Sequence, residues 1–564
     1  MVVLMSLSSQ IQKLMTGRTS HQTHHQTLIR RIPIALVVGM LVWMQPVQAA
    51  LRLKVRFGEF ERSIAVADFA MYAESGQAPP ELAWYLNRIN APDRVALRKA
   101  LSQSMPFTPV MVSNLLATPI GQELVAQLAK TLALPAVPAQ NAIQAALLLG
   151  AAKTGQLRLI DALEAFPLQE LPINGNALVS ISRQLGRQVN AQNNLYPGLL
   201  AQFSKAGPKP VAAGPEFFGA AKPGTVAYSS KSFEFVDRAG NTLQALINLP
   251  TSSNRSTKPA LVVLAPGLNS DYTALLYVGN HLSSHGYAVA TLNFPYTSTD
   301  AIQSGIAGTA PMPSPSAWFS QPTTISDLID VVQRRWGDRL DSNRVGALGQ
   351  SLGGYTVTAL AGAPLDWTHL REACKRYAKP NQVQINLAKL WQCQDPSQPI
   401  QTLNQADARI KAVIAVNPVT NPIFSANSLR SIATPYMMIA ATDDFFAPPL
   451  SEQLLPYTSL KQADTYLVLV NKGTHLSFLK GTSKLPSFIV GPGQREAFDE
   501  LKALSLLFFD RYLNAVAKPN DLVPPQSTLV VGVEPLQMMV IRQLDEQVLR
   551  SAAPMLCDEN SPAC

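Results

Sequence analysis

Cysteine is scarce in this chain: 564 residues carry only four, Cys374, Cys393, Cys557 and Cys564. None forms a CxxC pair, so nothing argues for a cysteine zinc site. The even number suits disulfides in an oxidising compartment, and proximity suggests Cys374–Cys393 and Cys557–Cys564. Unpaired thiols are the alternative. Charge is scarce too, at 15% of residues against 47% hydrophobic, which excludes a disordered chain. Long apolar runs are missing after the first fifty residues. None reaches the roughly 18 residues that span a bilayer.

The first fifty residues are different. Arg30 and Arg31 form a positive region, Ile32 to Met44 is an apolar run, and Val47-Gln48-Ala49 is a small-x-small pattern. Together they predict an export signal over 1–49 with Ala50 as the first mature residue, in the periplasm or outside the cell. An uncleaved membrane anchor is the alternative. Residues 1–50 hold Lys13, Arg18, Arg30 and Arg31 and no acid, so their removal takes the formal charge from +9 to +5. That balance gives no case for nucleic-acid binding.

Residues 50–190 read as a mostly helical region. The stretch LRLKVRFGEFERSIA (51–65) alternates well enough for one or two strands. Pro79-Pro80 and Pro92-Asp93 then open helices, and further helical pieces fall near 108–116, 119–132, 141–153 and 176–189. Residues 191–225 are assigned to a linker, rich in Gly, Pro, Ala and Lys from 205 on. Between 226 and 515 the pattern changes. A hairpin around Ala239-Gly240-Asn241 is followed by PALVVLAPG, YAVATLNFP, RVGALG, KAVIAVN, PYMMIAA and TYLVLVN. These runs lack polar alternation, as strands buried on both faces do. Their alternation with helical segments predicts an α/β fold, a mainly parallel sheet with helices on both faces. Residues 516–564 form a C-terminal extension with another apolar run, STLVVGV.

Gly349-Gln350-Ser351-Leu352-Gly353-Gly354 follows the strand RVGALG and precedes a helical stretch. This is a G-x-S-x-G elbow in the strand–turn–helix setting it requires, with Ser351 as nucleophile. The flanking glycines are needed because the turn leaves no room for a Cβ. A serine hydroxyl needs a base. Past the signal the chain has four histidines, His281, His285, His369 and His475. Only His475, after TYLVLVN, follows both the serine and a good acid. His281 and His285 are i, i+4 neighbours without a third ligand, and a surface helix is the preferred reading. His369 falls in a segment read as an insertion (363–405). Asp443 and Asp444 follow PYMMIAA; Asp444, four residues before Pro448, is preferred as the acid. The oxyanion donors would be the N–H groups of Leu352 and, in the loop after PALVVLAPG, Leu268.

APGLNSDY, GQSLGGY, ATDDFFAPP and GTHLSF together resemble the dienelactone-hydrolase and platelet-activating-factor-acetylhydrolase branch of the α/β-hydrolases, over about 225–515. RFGEFERSIAVADFAMYAESG and LLATPIGQELV look like the helical domain of unknown function found before such hydrolases in photosynthetic bacteria. The resemblance implies ester hydrolysis without metal or cofactor. One departure stands out. The acetylhydrolases carry the acid after the strand that follows the nucleophile helix; here that strand, KAVIAVN, ends in Asn417, which cannot be a carboxylate.

The expected chemistry is acyl transfer on a small-molecule ester or lipid substrate: Ser351 attacks, His475 is the base, and Asp444 orients it. Rivals are a peptidase of the same fold, separable by parallel ester and peptide assays, and a non-catalytic scaffold, separable by a fluorophosphonate probe. Trp318 and Phe319 could line an acyl pocket or simply pack a loop. The helical region could cover the site or make peripheral membrane contact; plain core is the preferred reading of its Leu and Ala stripes. The pattern specifies no oligomeric state.

Overall fold

The computed structural model describes residues 52–553, except 58, 88–90, 106, 207–209, 252–257, 312–314, 378–385, 394–401, 483–484, 486, 515–522, 524–527 and 534–535. The export-signal residues and the Cys557–Cys564 pair lie outside the described residues.

The described residues open on a small sheet. Strands β1 (Arg52–Phe57) and β2 (Phe60–Ala65) pair antiparallel, and β3 (Glu170–Asn174) adds parallel to β1. Between β2 and β3 the described residues form seven helices. Several begin where the sequence places proline: Pro80–Leu86, Pro109–Ala117 and Pro119–Ala129 each carry it in the first turn, where its missing N–H costs nothing. Thr118 closes one helix and caps the next by accepting from the Gly121 N–H at 3.0 Å. Val112, Val125, Ala139, Ile143 and Leu171 build the core of this region.

The next helix differs from the sequence expectation. The sequence pattern predicts a helix ending near 189, yet it runs Gly175–Ala206 with Pro197 inside it. Tertiary burial outweighs the proline: Ala191, Leu195, Tyr196 and Leu199, spaced at helical intervals, sink into the core of the large sheet. The residues assigned to a linker are packed as well. Val211–Ala212 is a short edge strand, β4, and Phe217 on the helix Pro215–Ala220 is buried.

Among the described residues the large sheet has eleven strands. Beyond β4 they are β5 (Tyr228–Val236), β6 (Thr242–Pro250), β7 (Ala260–Ala265), β8 (Ala288–Leu292), β9 (Asp341–Gln350), β12 (Ile410–Val416), β13 (Tyr436–Ala441), β14 (Thr465–Val470), β15 (Leu529–Val533) and β16 (Leu536–Ile541). The omitted pair, β10 (Leu365–Asp366) and β11 (Thr402–Leu403), ties the base of the 363–405 insertion. The spatial order is β4-β15-β16-β14-β13-β12-β9-β7-β8-β6-β5. From β8 to β14 every pairing is parallel; β6 and β16 pair antiparallel on the two flanks. The C-terminal extension therefore supplies two sheet strands.

Strand side chains alternate between two cores. Leu261, Val263 and Ala265 of β7 enter one, and Ala260, Val262 and Leu264 enter the other. Burial on both faces is why these strands read as unbroken apolar runs. Register then aligns their carboxyl ends on one rim: Ala265 of β7 opposes Gly349 of β9, Gln350 opposes Val416 of β12, and Ala441 of β13 opposes Val470 of β14. Open parallel sheets place their sites at that rim.

Candidate active site

Ser351 follows β9 and precedes the helix Leu352–Leu360. Its backbone takes φ 57° and ψ −116°, a region a side chain rarely adopts. The neighbours hold it there. Its N–H donates to the Val416 carbonyl at 2.9 Å, and its carbonyl accepts from Val419 at 3.3 Å. A Cβ on Gly349 would run into the Gly353 carbonyl, and one on Gly353 into the Ala265 carbonyl. The strained turn is thus possible only with the glycines seen in the sequence.

His475 lies in the loop after β14. Its Nε2 is 2.8 Å from Ser351 Oγ, and its Nδ1 is 2.6 Å from Asp444 Oδ2. Asp444 follows β13, and its other oxygen, Oδ1, accepts from the Ala447 N–H at 2.8 Å. Asp444 is fully buried, while His475 and Ser351 keep 7% and 9% of their surface. Such a chain can pass the serine proton to Nε2 while the carboxylate holds Nδ1–H and balances the imidazolium. Burial keeps water from competing for these bonds.

The structure brings Ser351, His475 and Asp444 together, as the sequence order suggests. Asp443 is excluded from the chain: it is exposed, and its carboxylate accepts from Thr442 Oγ1 at 3.0 Å. Leu352 opens its helix, so its N–H has no intrahelical acceptor. Gly267, just before Leu268, is packed so closely on Ser351 that an added Cβ would lie 3.1 Å from the Ser351 Cβ. Leu352 thus follows Ser351 directly, and Leu268 follows a glycine packed against it.

His281 and His285 correct one expectation. Their helix, Leu276–Ser284 with His285 at its end, is not a surface helix: His281 is buried, and burial pushes its imidazole down to about 4. His369 sits on the helix Trp367–Tyr377 of the insertion. That insertion is stapled by the Cys374–Cys393 disulfide, the expected pairing. Trp318 is almost wholly buried against Phe319 and Tyr355, so it packs the loop over the core. Among the described residues no group of three or more His, Cys, Asp or Glu could hold a metal ion.

Two residues to which the sequence assigns no task hold the His475 backbone. Gln350 Nε2 donates to the His475 carbonyl at 3.0 Å. Asn417 Nδ2 donates to the same carbonyl at 3.3 Å and to that of Thr474 at 3.2 Å. Asn417 Oδ1 accepts from the Ala441 N–H at 3.0 Å. The buried amide so joins the ends of β12 and β13 to the histidine loop. Its signal was present, a polar residue closing an apolar strand; Gln350 offered none beyond its place in the elbow. On the outer side, Phe446 lies 5.5 Å from the His475 ring, and Phe445 and Phe446 are 53% and 41% exposed.

A family model described as an alpha/beta hydrolase of unknown function (DUF1400) matches residues 49–174. No curated protein matches the chain. The matched segment is the helical region before the large sheet, while Ser351, Asp444 and His475 lie beyond it. With its mainly parallel sheet flanked by helices, the chain has the α/β-hydrolase fold.

Proposed function

We propose that this chain is an exported serine hydrolase that cleaves carboxylic esters through an acyl-enzyme on Ser351. The observation that carries the reading is the unbroken hydrogen-bond chain from Ser351 Oγ through His475 to Asp444. His475 takes the hydroxyl proton as Oγ attacks the ester carbonyl. The Leu268 and Leu352 N–H groups receive the developing oxyanion. The protonated imidazole then gives its proton to the leaving alcohol. Water, deprotonated by His475, attacks the acyl-enzyme and frees the acid and Ser351.

Lipid-like esters fit best. Phe446, with its ring 5.5 Å from that of His475, and its neighbour Phe445 make an exposed apolar edge beside the site. The shared motifs favour the dienelactone-hydrolase and acetylhydrolase branch, with Asp444 on the next strand in place of that branch's usual acid. Export is supported by the signal pattern of residues 1–49 and by the Cys374–Cys393 disulfide, which suits an oxidising compartment.

The test is turnover of p-nitrophenyl esters and a phospholipid panel, with fluorophosphonate labelling. The wild-type chain should be labelled and active, and Ser351→Ala should lose both with its circular dichroism unchanged. Full activity in Ser351→Ala overturns the assignment, and an unlabelled wild-type serine favours a scaffold.

A further inference from the structure

We propose that Gln192, on the long helix Gly175–Ala206, is a positioning residue for the acid of the Ser351–His475–Asp444 chain; this rests on the hydrolase reading above. Gln192 Nε2 donates to the Asp444 backbone carbonyl at 3.0 Å, across 252 residues of sequence.

The position of that bond gives it leverage. Up to Asp443 the acid loop is tied to the base of the histidine loop. Thr442 N–H donates to the Val470 carbonyl at 2.9 Å, and Asp443 N–H to the Gly473 carbonyl at 2.8 Å. Beyond Asp444 the loop turns outward through the exposed Phe445 and Phe446. The Asp444 carbonyl is where support from the sheet ends. Rotation of the peptide there would swing the carboxylate that must meet Nδ1 at 2.6 Å. Gln192 holds that peptide from outside the sheet.

The helix is stiff where it does so. Ala191 and Leu195, flanking Gln192, are buried in the core of the large sheet. One turn on, Gly198 lies so close to the helix Glu546–Ala552 that a Cβ would come within 2.8 Å of the Ala552 carbonyl. At its other end the helix follows β3 of the small sheet, joined through the Asn174 side chain, which accepts from the Ala177 N–H at 3.1 Å. The helical region also grips the rim nearby: Asn114 Nδ2 donates to the Ile306 carbonyl at 2.8 Å, and Gln303 of that same helix, Thr299–Ala307, donates to Asn269 beside Leu268. The N-terminal region is thus built into the frame of the site.

Gln192→Met keeps the shape and removes the donor, and Gln192→Glu sets an acceptor against an acceptor. In the full chain, kcat on an ester should fall about 5- to 50-fold in Gln192→Met, with KM little changed, and further in Gln192→Glu. The acid limb of kcat/KM should move to lower pH, because a displaced carboxylate stabilises the imidazolium less. Proton NMR supplies a readout that needs no turnover: the downfield His475 Nδ1–H signal should shift or broaden in both variants. Melting temperatures identify any variant that loses activity by unfolding. Unchanged kcat, pH profile and Nδ1–H signal in folded Gln192→Met overturn the positioning role while leaving the hydrolase reading intact. Failure of the Ser351→Ala test overturns the hydrolase reading, and the Nδ1–H signal still decides whether Gln192 positions Asp444.

Discussion

Strands β12 and β13 lie side by side and both end beside His475, yet their ends do opposite work. The first leads directly to Asn417, an amide that donates to two carbonyls and accepts from one backbone N–H. The second leads to Asp444, a carboxylate that only accepts, from the imidazole and from Ala447. The amide grips the backbone of the histidine loop and the carboxylate grips its ring. A carboxylate at 417 would face the two buried carbonyl oxygens of Thr474 and His475, so that position suits an amide and not an acid.

The largest effect should come from trying to exchange the two ends. Asp444→Asn is expected to cut kcat by roughly 10³–10⁴-fold, since a neutral amide no longer fixes the tautomer or balances the imidazolium. Adding Asn417→Asp should restore none of it, as ester kinetics on the single and double variants would reveal. Recovery above a tenth of wild-type activity would mean the ends are interchangeable.

Next in size is Asn417→Ala. It strips partners from one buried N–H and weakens the hold on two carbonyls. Stability should drop by about 2–3 kcal/mol in denaturant unfolding. A loss under ~0.5 kcal/mol would show that the amide is no clamp. Gln350→Ala removes one of the two donors to the His475 carbonyl and leaves Asn417 in place. Its cost should be about 1 kcal/mol, with a kcat loss smaller than that of any Asp444 variant.

The last effect concerns pH. Glu452, soon after β13, accepts from the Thr420 and Asn421 N–H groups of the loop after β12, both at 3.2 Å. Burial raises its carboxyl to about 7, against the pull of Lys389. A raised acid holds its proton better in the folded state. Its contribution to stability is therefore complete below the unfolded value of 4.5 and fades as pH rises toward about 7. Glu452→Gln should flatten that part of the stability profile, measured by unfolding at pH 4.5, 6 and 7.5. An unchanged slope would remove Glu452 as the titrating link between the two loops.

Much of this site can be read before folding. The elbow glycines, the buried strands and the order Ser351, Asp444, His475 are local signals, set within a few residues of each strand end. The proline-led helices of the N-terminal region are local too. Other features could not be read that way. The helix Gly175–Ala206 passes through a glycine–proline pair because the large core buries its apolar residues. The stretch around β4 and Phe217 looks like a linker until strand order gives it something to pack on. His281 reads as a surface residue on an amphipathic helix until it is covered.

By itself, the sequence determined the strand and helix pattern of the α/β fold, the strained turn at Ser351 and the order of the polar residues at the rim, because each depends on neighbours close in the chain. Only the tertiary structure decided that Asp444 rather than Asp443 meets the imidazole. Only it brought Gln350 and Asn417 onto one carbonyl, and Gln192 to the Asp444 peptide. These contacts join residues tens to hundreds of positions apart. They exist because parallel register lines up the ends of β9, β12, β13 and β14 on a single rim, and no local pattern encodes that alignment.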